Sequence, residues 1–558
     1  MDVTALYLLW LEKAAGRPAL REELEAIRGD DAAIEDRFYR ELEFGTGGLR
    51  GVLGAGTNRM NVFTIGKATQ GYANYLKAHF AAPSVAIAYD SRINSRLFAE
   101  TAAGVFAANG IRAHIYPRLM PTPSLSFAVR DLHCEGGVVI TASHNPAKYN
   151  GYKVYGADGC QITTEAASAI QQEIDRIDPF ADVHTLDFAE GLASGIIAYI
   201  GEDTVERYLA AVSAASLLPE DVSRSASIVY TPLNGTGISC VPRCLRAHGF
   251  ANITIPPEQA EPDGTFPTCP YPNPEIREAL SVGLRLAEKT GSELLLATDP
   301  DCDRVAVAAV KTAAGCRLIT GNEMGVLLLD FVCRMRRANG TMPERPVAVK
   351  TIVTTPMAEK VAAHYGVELR NVLTGFKYIG EQIGLLEKDG EADRYIFGFE
   401  ESYGYLSGSF VRDKDAVNAS LLICEMFVWY KSQGKTLADA LEALYAQYGF
   451  FEAKLLSFTF EGSAGFAHMT ELLDSLRLSP PAELAGEAVR QVIDYDRDET
   501  GLPRSNVLRF VLDGGEVVVR PSGTEPKLKI YLTAARESRE ESRAMLALLE
   551  KRLTDWAK

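Results

Sequence analysis

Apolar and polar positions along this chain follow two alternating rhythms. Short runs of aliphatic and β-branched residues, such as Val85-Ala86-Ile87-Ala88-Tyr89, Val138-Val139-Ile140 and Leu294-Leu295-Leu296-Ala297, read as buried strands. Between them lie longer stretches with apolar residues at helical spacing, as over 63–80 and 95–109. Leu6, Leu9, Trp10 and Ala14 repeat with the helical period too, so the chain is expected to open on a helix, with residues 1–43 helical and charged. Strands alternating with helices predict a parallel α/β architecture. The first such unit closes near residue 205. A second begins at Ser227-Ile228-Val229-Tyr230 and carries a proline-rich excursion over 256–274, and a third opens at Gly321-Asn322-Glu323. After about residue 447 the pattern changes to strands joined by tight turns, including Asp513-Gly514-Gly515 between apolar runs, and it ends on a charged amphipathic helix. That tail reads as a separate α+β domain. The expected division is 1–205, 206–320, 321–448 and 449–558.

Length agrees with this division, because 558 residues exceed what one hydrophobic core supports. Apolar residues make up 47% and charged residues 23%, the balance of a soluble globular protein. A net charge of −16 argues against nucleic acid or anionic membrane as partners, while a local basic cleft for an anionic ligand stays open. No apolar run reaches the roughly 18 residues of a membrane span, and Asp2 stands where a secretory leader carries Lys or Arg. The nine cysteines are scattered without a C-x-x-C pair, which points to reduced thiols and a cytoplasmic protein. Cys240, Cys244 and His248 have the spacing of zinc ligands on a helix, but Pro242 interrupts them and no fourth ligand is near.

Candidate chemistry sits in the loops. Val138-Val139-Ile140 runs into Thr141-Ala142-Ser143-His144-Asn145-Pro146, presenting a serine among small residues where an α/β protein would carry a nucleophile. Lys153 follows ten residues later, past a turn at Asn150-Gly151. Alone, this stretch could equally be a polar turn, and adjacency does not make His144 a base for Ser143. Asp299-Pro300-Asp301-Cys302-Asp303-Arg304 follows another buried strand, and three alternating carboxylates can converge on one hard divalent cation. An EF-hand is excluded by Arg304 at position 6 and Val310 at position 12. So few ligands leave coordination positions open, which suits magnesium shared with a phosphate. Arg520-Pro521-Ser522-Gly523-Thr524-Glu525-Pro526-Lys527 offers an arginine, hydroxyls and a glycine-freed backbone suited to a phosphate dianion. The glycine-rich loop Phe44–Gly51, with Arg50, and Thr374-Gly375-Phe376-Lys377 are weaker signals of the same kind. Glu400 and Ser402 supply groups that hydrogen-bond sugar hydroxyls.

With TASHNP, DPDCDR, EESYG and RPSGTEPK in this order, the chain resembles the α-D-phosphohexomutase superfamily on its phosphoglucomutase branch. The resemblance covers nearly the whole chain. It implies four domains around a central cleft, three similar α/β units with mixed sheets and a C-terminal α+β domain. It further implies a phosphoserine at Ser143, with Asp299, Asp301, Asp303 and that phosphoserine as ligands of Mg2+. Ser143, His144, Lys153 and Arg50 form the implied catalytic set, with Lys153 as an acid/base. Arg304, Lys377, Glu400, Ser402, Arg520, Ser522, Gly523 and Thr524 form the implied substrate-binding set. The implied reaction interconverts glucose 1-phosphate and glucose 6-phosphate through glucose 1,6-bisphosphate, which is both intermediate and activator. The expected partner is a phosphosugar, with no nucleic acid and no membrane, and the expected state is a monomer or weak homodimer.

Two features qualify the substrate. Gly404 and Tyr405 stand where mannose-active relatives carry a histidine, which favours glucose. FGTGGLRG, TGFKYIG and EESYG resemble the subgroup that also holds phosphopentomutases, so ribose or deoxyribose 1-phosphate stays an alternative. Asn234 stands where relatives often have histidine. A serine-dependent metal phosphatase and a silent scaffold are the competing classes. The first predicts net phosphate release, and the second usually loses the serine or an aspartate, all of which this chain retains.

Overall fold

The computed structural model describes residues 2–45, 47–312, 315–460, 462–522 and 527–557. The chain separates into two compact units, 1–320 with 380–395 and 403–429, and 321–379 with 396–402 and 430–558.

In the first unit, one sheet runs in the order Gly48–Val52, Tyr149–Gly156, Gly136–Ile140, Ser84–Tyr89, Arg112–Ile115, Ile197–Tyr199. The apolar runs recognised as strands form its parallel half, where Tyr89 pairs with Ile140 and Ile87 with Ile115. Every side chain of Gly136–Ile140 is buried, as expected of a central parallel strand covered on both faces. Helices Val62–His79 and Ser95–Ala108 pack Ile65, Tyr72, Leu76, Phe98 and Phe106 into the same core. Asn61 caps the first of these helices through a full capping box with Thr64.

The sheet corrects two sequence expectations. Asn150–Lys153 is not a turn but lies within an eight-residue strand that pairs antiparallel on both sides. The glycine-rich segment ends in an edge strand, with Arg50 opposite Gly151. Glycine is required here, because Gly48 has φ +146° and a Cβ on it would lie 1.9 Å from the Tyr152 carbonyl oxygen. Such a segment has the composition of a loop and the pairing of a strand.

A second sheet in this unit has the order Gly315–Ile319, Val305–Thr312, Leu294–Thr298, Ile228–Thr231, Ile253–Thr254. Thr298 pairs antiparallel with Val305, so Asp299–Arg304 is the hairpin loop between two buried strands. The N-terminal helices Val3–Lys13, Pro18–Ala26 and Asp31–Phe38 form a small core of their own. Trp10 is its centre, in edge contact with Phe38, Phe63 and Phe180 at 5.8, 5.4 and 5.4 Å. Cys244 lies on the helix Val241–Ala247, with Cys240 as the residue that precedes it, and the first turn accommodates Pro242. Burial pushes the Cys240 thiol up to about 12, and His248 Nδ1 faces the Cys244 carbonyl at 2.9 Å. These groups are ordinary helix-packing residues.

In the second unit, Glu368–Val372, Val347–Thr351 and Tyr395–Glu400 lie side by side in that order. The C-terminal sheet has the order Phe450–Thr459, Lys527–Arg536, Gly515–Pro521, Leu508–Leu512, Glu487–Asp494, Glu483–Leu484, antiparallel throughout. Its apolar face meets Met545, Leu549 and Leu553 of the helix Arg539–Thr554. Among the described residues, no helix is long and apolar enough to cross a membrane.

Trp10→Ala should destabilise the first unit by about 3–5 kcal/mol, because the vacated volume is enclosed by aromatic rings. The check is a lower denaturant midpoint together with faster proteolysis within residues 1–43. An unchanged midpoint would mean that the N-terminal helices are not anchored through Trp10.

Candidate active site

Two parallel strands with ends in register release their loops at the same sheet edge. Ser84–Tyr89 ends at Asp90, whose amide donates to the Ile140 carbonyl, and Gly136–Ile140 ends at Thr141. Ser143 lies two residues beyond, 5% exposed, with its amide donating to the Thr141 hydroxyl. Its φ of +49° is left-handed, a conformation that costs a non-glycine residue about 1–2 kcal/mol.

The Ser143 hydroxyl donates to Asp301 Oδ2 at 2.9 Å. Lys153 Nζ lies 2.9 Å from both Ser143 Oγ and Asp301 Oδ2, and 3.5 Å from Asp303 Oδ2. The Tyr149–Gly156 strand is what brings it there. Arg50, opposite Gly151 on the edge strand, shares the sheet face of Lys153, two residues along. Serine, lysine and aspartate therefore form a closed triangle built from three separate stretches of chain.

Asp299, Asp301 and Asp303 are each at most 1% exposed and offer oxygens within 4.8 Å of one another. Among the described residues this is the only such group of three or more His, Cys, Asp or Glu side chains. The loop itself fixes Asp299, whose Oδ1 accepts the amides of Asp303 and Arg304 at 3.1 and 3.0 Å. Asp299 Oδ2, Asp301 Oδ1 and Asp303 Oδ1 accept no hydrogen bond although they are buried. Buried carboxylate oxygens without donors are costly, and a hard divalent cation coordinated by oxygen is the group that satisfies them. The donor set therefore fits a divalent metal.

Electrostatics divide the triad. Burial, reinforced by Asp301 and Asp303, pushes the Asp299 carboxyl well above its ordinary value. Burial acts on Asp301 in the same direction, but the ammonium of Lys153 outweighs it and holds Asp301 below the usual carboxylate range. His144 Nδ1 lies 3.9 Å from Asp299 Oδ2, too far for a hydrogen bond. Burial, then the charges of Arg304 and Arg50, hold its imidazole well below the ordinary range, so it is neutral. Arg304 pairs with Glu275 Oε1 at 2.9 Å and reaches Asp303 Oδ1 at 3.7 Å.

Other residues here escaped the sequence reading. Lys414 Nζ lies 2.8 Å from Asp303 Oδ2, a second ammonium against the triad. Its only local signal is the dense charge of Arg412-Asp413-Lys414-Asp415 after an apolar stretch. Thr122 donates to Asp301 through its amide at 2.9 Å and its hydroxyl at 3.2 Å. Thr236 donates twice to the Pro300 carbonyl, at 2.8 and 3.0 Å, which gives the turn at 231–237 a structural role. Asn234 in that turn donates to the carbonyls of Glu258 and Glu261 and so ties down the start of the proline-rich excursion.

The remaining candidates belong to the second unit. Glu400 is buried at the end of its strand and accepts the Gly375 amide at 3.1 Å, just ahead of the helix Phe376–Lys388, so Lys377 lies in the first turn of a helix and not on the expected loop. The carboxylate of Glu401 accepts the hydroxyls of Thr351 and Thr354 at 3.3 and 3.2 Å. Arg520 pairs with Lys529 in the C-terminal hairpin, and the Ser522 amide donates to the Lys527 carbonyl at 2.7 Å. Gly523 and Thr524 lie outside the described residues.

Comparison with known proteins follows the same order of segments. The chain matches Phosphoglucomutase/phosphomannomutase, alpha/beta/alpha domain I over residues 41–180, domain II over 206–312, domain III over 320–448, and the C-terminal domain over 476–550. It is 36% identical to the phosphoglucomutase of Staphylococcus saprophyticus over 516 residues, covering 90% of this chain and 92% of the relative. It is also 36% identical to a phosphoglucomutase of Staphylococcus aureus over 541 residues, covering 94% and 95%. Among solved structures, a phosphoglucomutase/phosphomannomutase family protein of Burkholderia thailandensis shares the fold with a TM-score of 0.69. Identity there is 19%, with 92% of this chain and 96% of that chain covered.

Cation binding at the triad should displace a proton, because Asp299 is held protonated to a higher pH than an ordinary carboxyl. Affinity for Mg2+ or Mn2+ will therefore weaken as pH falls. Calorimetric titration in two buffers of different ionisation enthalpy measures the proton directly, and Asp299→Asn should remove it. Identical heats in both buffers, with pH-independent affinity, would mean that Asp299 is already ionised before the cation binds, and binding unchanged in Asp299→Asn would remove the triad as the metal site.

Proposed function

The chain belongs to the phosphoglucomutase/phosphomannomutase family, and from that premise we propose that it is a phosphoglucomutase that moves a phosphoryl group through Ser143. The observation that carries the reading is the triangle of Ser143 Oγ, Lys153 Nζ and Asp301 Oδ2, each pair 2.9 Å apart. The four-domain division at 205, 320 and 448 is part of the same reading, supported by family matches over 41–180, 206–312, 320–448 and 476–550, one within each expected domain or a residue beyond it.

Phosphorylated Ser143 transfers its phosphoryl group to the free hydroxyl of glucose 1-phosphate or glucose 6-phosphate. The bond from phosphorus to Oγ breaks as the bond to the sugar oxygen forms. Lys153, at hydrogen-bond distance from Oγ, protonates the departing serine oxygen, and the proton lost by the sugar hydroxyl replaces it. The product is glucose 1,6-bisphosphate. After turning over, this intermediate returns its other phosphoryl group to Ser143, and Lys153 withdraws the serine proton in the reverse sense. Mg2+ held by Asp299, Asp301 and Asp303 would neutralise charge on the transferring phosphoryl oxygens. Arg50 and Arg304 add positive charge beside His144 and the serine loop, where a phosphoryl dianion requires it.

Glu400 and Ser402 are assigned to the sugar hydroxyls. Lys377, Arg520, Ser522, Gly523 and Thr524 are assigned to the phosphate that is not being transferred. The two phosphates of the bisphosphate exchange positions during the cycle, so this cradle must accept either, and a guanidinium with hydroxyls and amides reads the phosphate rather than its attachment.

Phosphorus NMR of the full chain with Mg2+ and trace glucose 1,6-bisphosphate tests the reading. Glucose 1-phosphate should convert to the 6-isomer faster than ribose 1-phosphate converts, and Ser143→Ala should abolish both. A preference for ribose 1-phosphate would reassign the sugar and keep the serine. Inorganic phosphate as the sole product would replace the mutase by a phosphatase. Arg520→Ala should raise KM about 10- to 100-fold, the loss expected for charge-assisted hydrogen bonds to phosphate. An unchanged KM would withdraw the cradle assignment.

A further inference from the structure

Ser143 stands in a left-handed backbone conformation, and no glycine neighbours it to relax the turn. What holds the loop is a buried arginine on a different strand end. Arg92 follows Ser84–Tyr89, and its side chain is 0% exposed. Nη2 donates to the carbonyls of Ser143 and Asn145, and Nη1 donates to those of Pro146 and Tyr149, both at 3.1 Å. One guanidinium thus gathers four carbonyl oxygens spanning residues 143–149, the whole turn between the serine and the strand that carries Lys153.

Arg92 is itself held from three directions. Its Nε lies 3.3 Å from Asp90 Oδ2, and its own amide donates to Asp90 Oδ1 at 2.9 Å. Asp90 also receives the Ser95 hydroxyl at 2.7 Å, and the Thr141 hydroxyl oxygen accepts the Ser143 amide at 2.8 Å. The amide side of the Ser143 residue is therefore fixed by Thr141, and its carbonyl by Arg92. On the third side the proline-rich excursion arrives. Gly264 bridges to Arg92, and the Phe266 ring faces the guanidinium with its centre 5.1 Å away. Gly264 admits this approach because a Cβ there would lie 2.5 Å from the Ile93 amide nitrogen.

We infer that Arg92 is a positioning residue for phosphoryl transfer. It locks the Ser143 loop in its left-handed conformation and aims Oγ at Asp301 and Lys153, while Asp90 and Phe266 hold the guanidinium in place. Its donors go to backbone carbonyls and its ion pair to Asp90, so it acts through the loop and not on the transferred group. Only the planar fork of arginine suits the task, because a lysine ammonium has three donors at one point and cannot span four carbonyls. The catalytic part of this inference rests on the phosphoserine reading, whereas the locking of the loop does not.

The test uses Arg92→Lys, Arg92→Ala and Phe266→Leu in the full chain, with two independent readouts. Hydrogen exchange by mass spectrometry follows the peptide covering 138–153. Amides of the serine loop should exchange at least about tenfold faster in Arg92→Lys, and to a smaller degree in Phe266→Leu, while the other sheet keeps its protection. Mutase kinetics should show kcat lowered about 100-fold, with KM for glucose 1-phosphate within about twofold of the parent, since misplacement of the nucleophile and not sugar binding is at stake. Added guanidinium should restore part of kcat to Arg92→Ala and none to the parent. Exchange in 138–153 equal to the parent in both Arg92→Lys and Phe266→Leu would overturn the inference. So would a loss of activity carried mainly by KM. If the arginine variants do not fold, Phe266→Leu, which keeps the guanidinium, decides by its exchange alone. If the parent shows no mutase activity while the loop still loosens, the functional reading fails and the lock stands.

Discussion

Three carboxylates packed within 4.8 Å of each other, out of reach of solvent, repel one another strongly at low dielectric. Much of the first unit is arranged around that constraint. Lys153 and Lys414 approach from separate segments, the Asp299–Arg304 loop turns its own amides onto Asp299, and Thr122 and Thr236 tie the loop backbone to its surroundings. Even so, the charge is incompletely compensated. Asp299 is pushed toward the protonated state while Asp301, against Lys153, remains ionised. The serine hydroxyl and the lysine ammonium share the same oxygen of Asp301, so three side chains from separate stretches of chain meet at one atom.

Much of this was legible in the chain. The apolar runs marked the strands, and the loops after them carried Ser143 and the three aspartates, because buried parallel strands need continuous apolar sequence and leave polar chemistry to their ends. Lys414 and Arg92 were not legible, for a physical reason. Each acts across the fold, Lys414 on a loop more than a hundred residues earlier and Arg92 on one about fifty residues later. A charged residue after a strand looks like any solvated surface group until the partner loop is seen against it. The segments Gly48–Val52 and Tyr149–Gly156 were misread because glycine and asparagine usually signal turns. Here Gly151 allows a tight approach instead, since a Cβ on it would lie 2.4 Å from the Thr141 carbonyl oxygen.

The Ser143 backbone illustrates how magnitudes settle such an arrangement. Left-handed φ costs about 1–2 kcal/mol, whereas a hydrogen bond from a charged donor contributes about 1.5–3 kcal/mol. Four such donations from one guanidinium exceed the strain several times over, even after allowing for the cost of burying Arg92, which its ion pair with Asp90 reduces. The strain therefore persists in the folded chain without threatening its stability, and the serine is held proud of its strand, where a relaxed extended residue would turn its hydroxyl away.

The second unit solves the corresponding problem with the opposite charge. Glu400 ends one strand and Glu401 follows it, and both reach sideways to other strand ends, Glu400 to the Gly375 amide and Glu401 to the hydroxyls of Thr351 and Thr354. In the first unit a buried cation collects carbonyls from the neighbouring loop, and here carboxylates collect amides and hydroxyls. In the first unit this device follows from parallel strands in register. Register brings the loops within reach but leaves their backbones unpaired, because the sheet ladder has ended. A single ionised side chain with several acceptors or donors is an economical way to satisfy those groups and to fix one loop against the next. Arg92 and Glu401 each act on a neighbouring loop in this way, and so govern where the side chains of that loop stand.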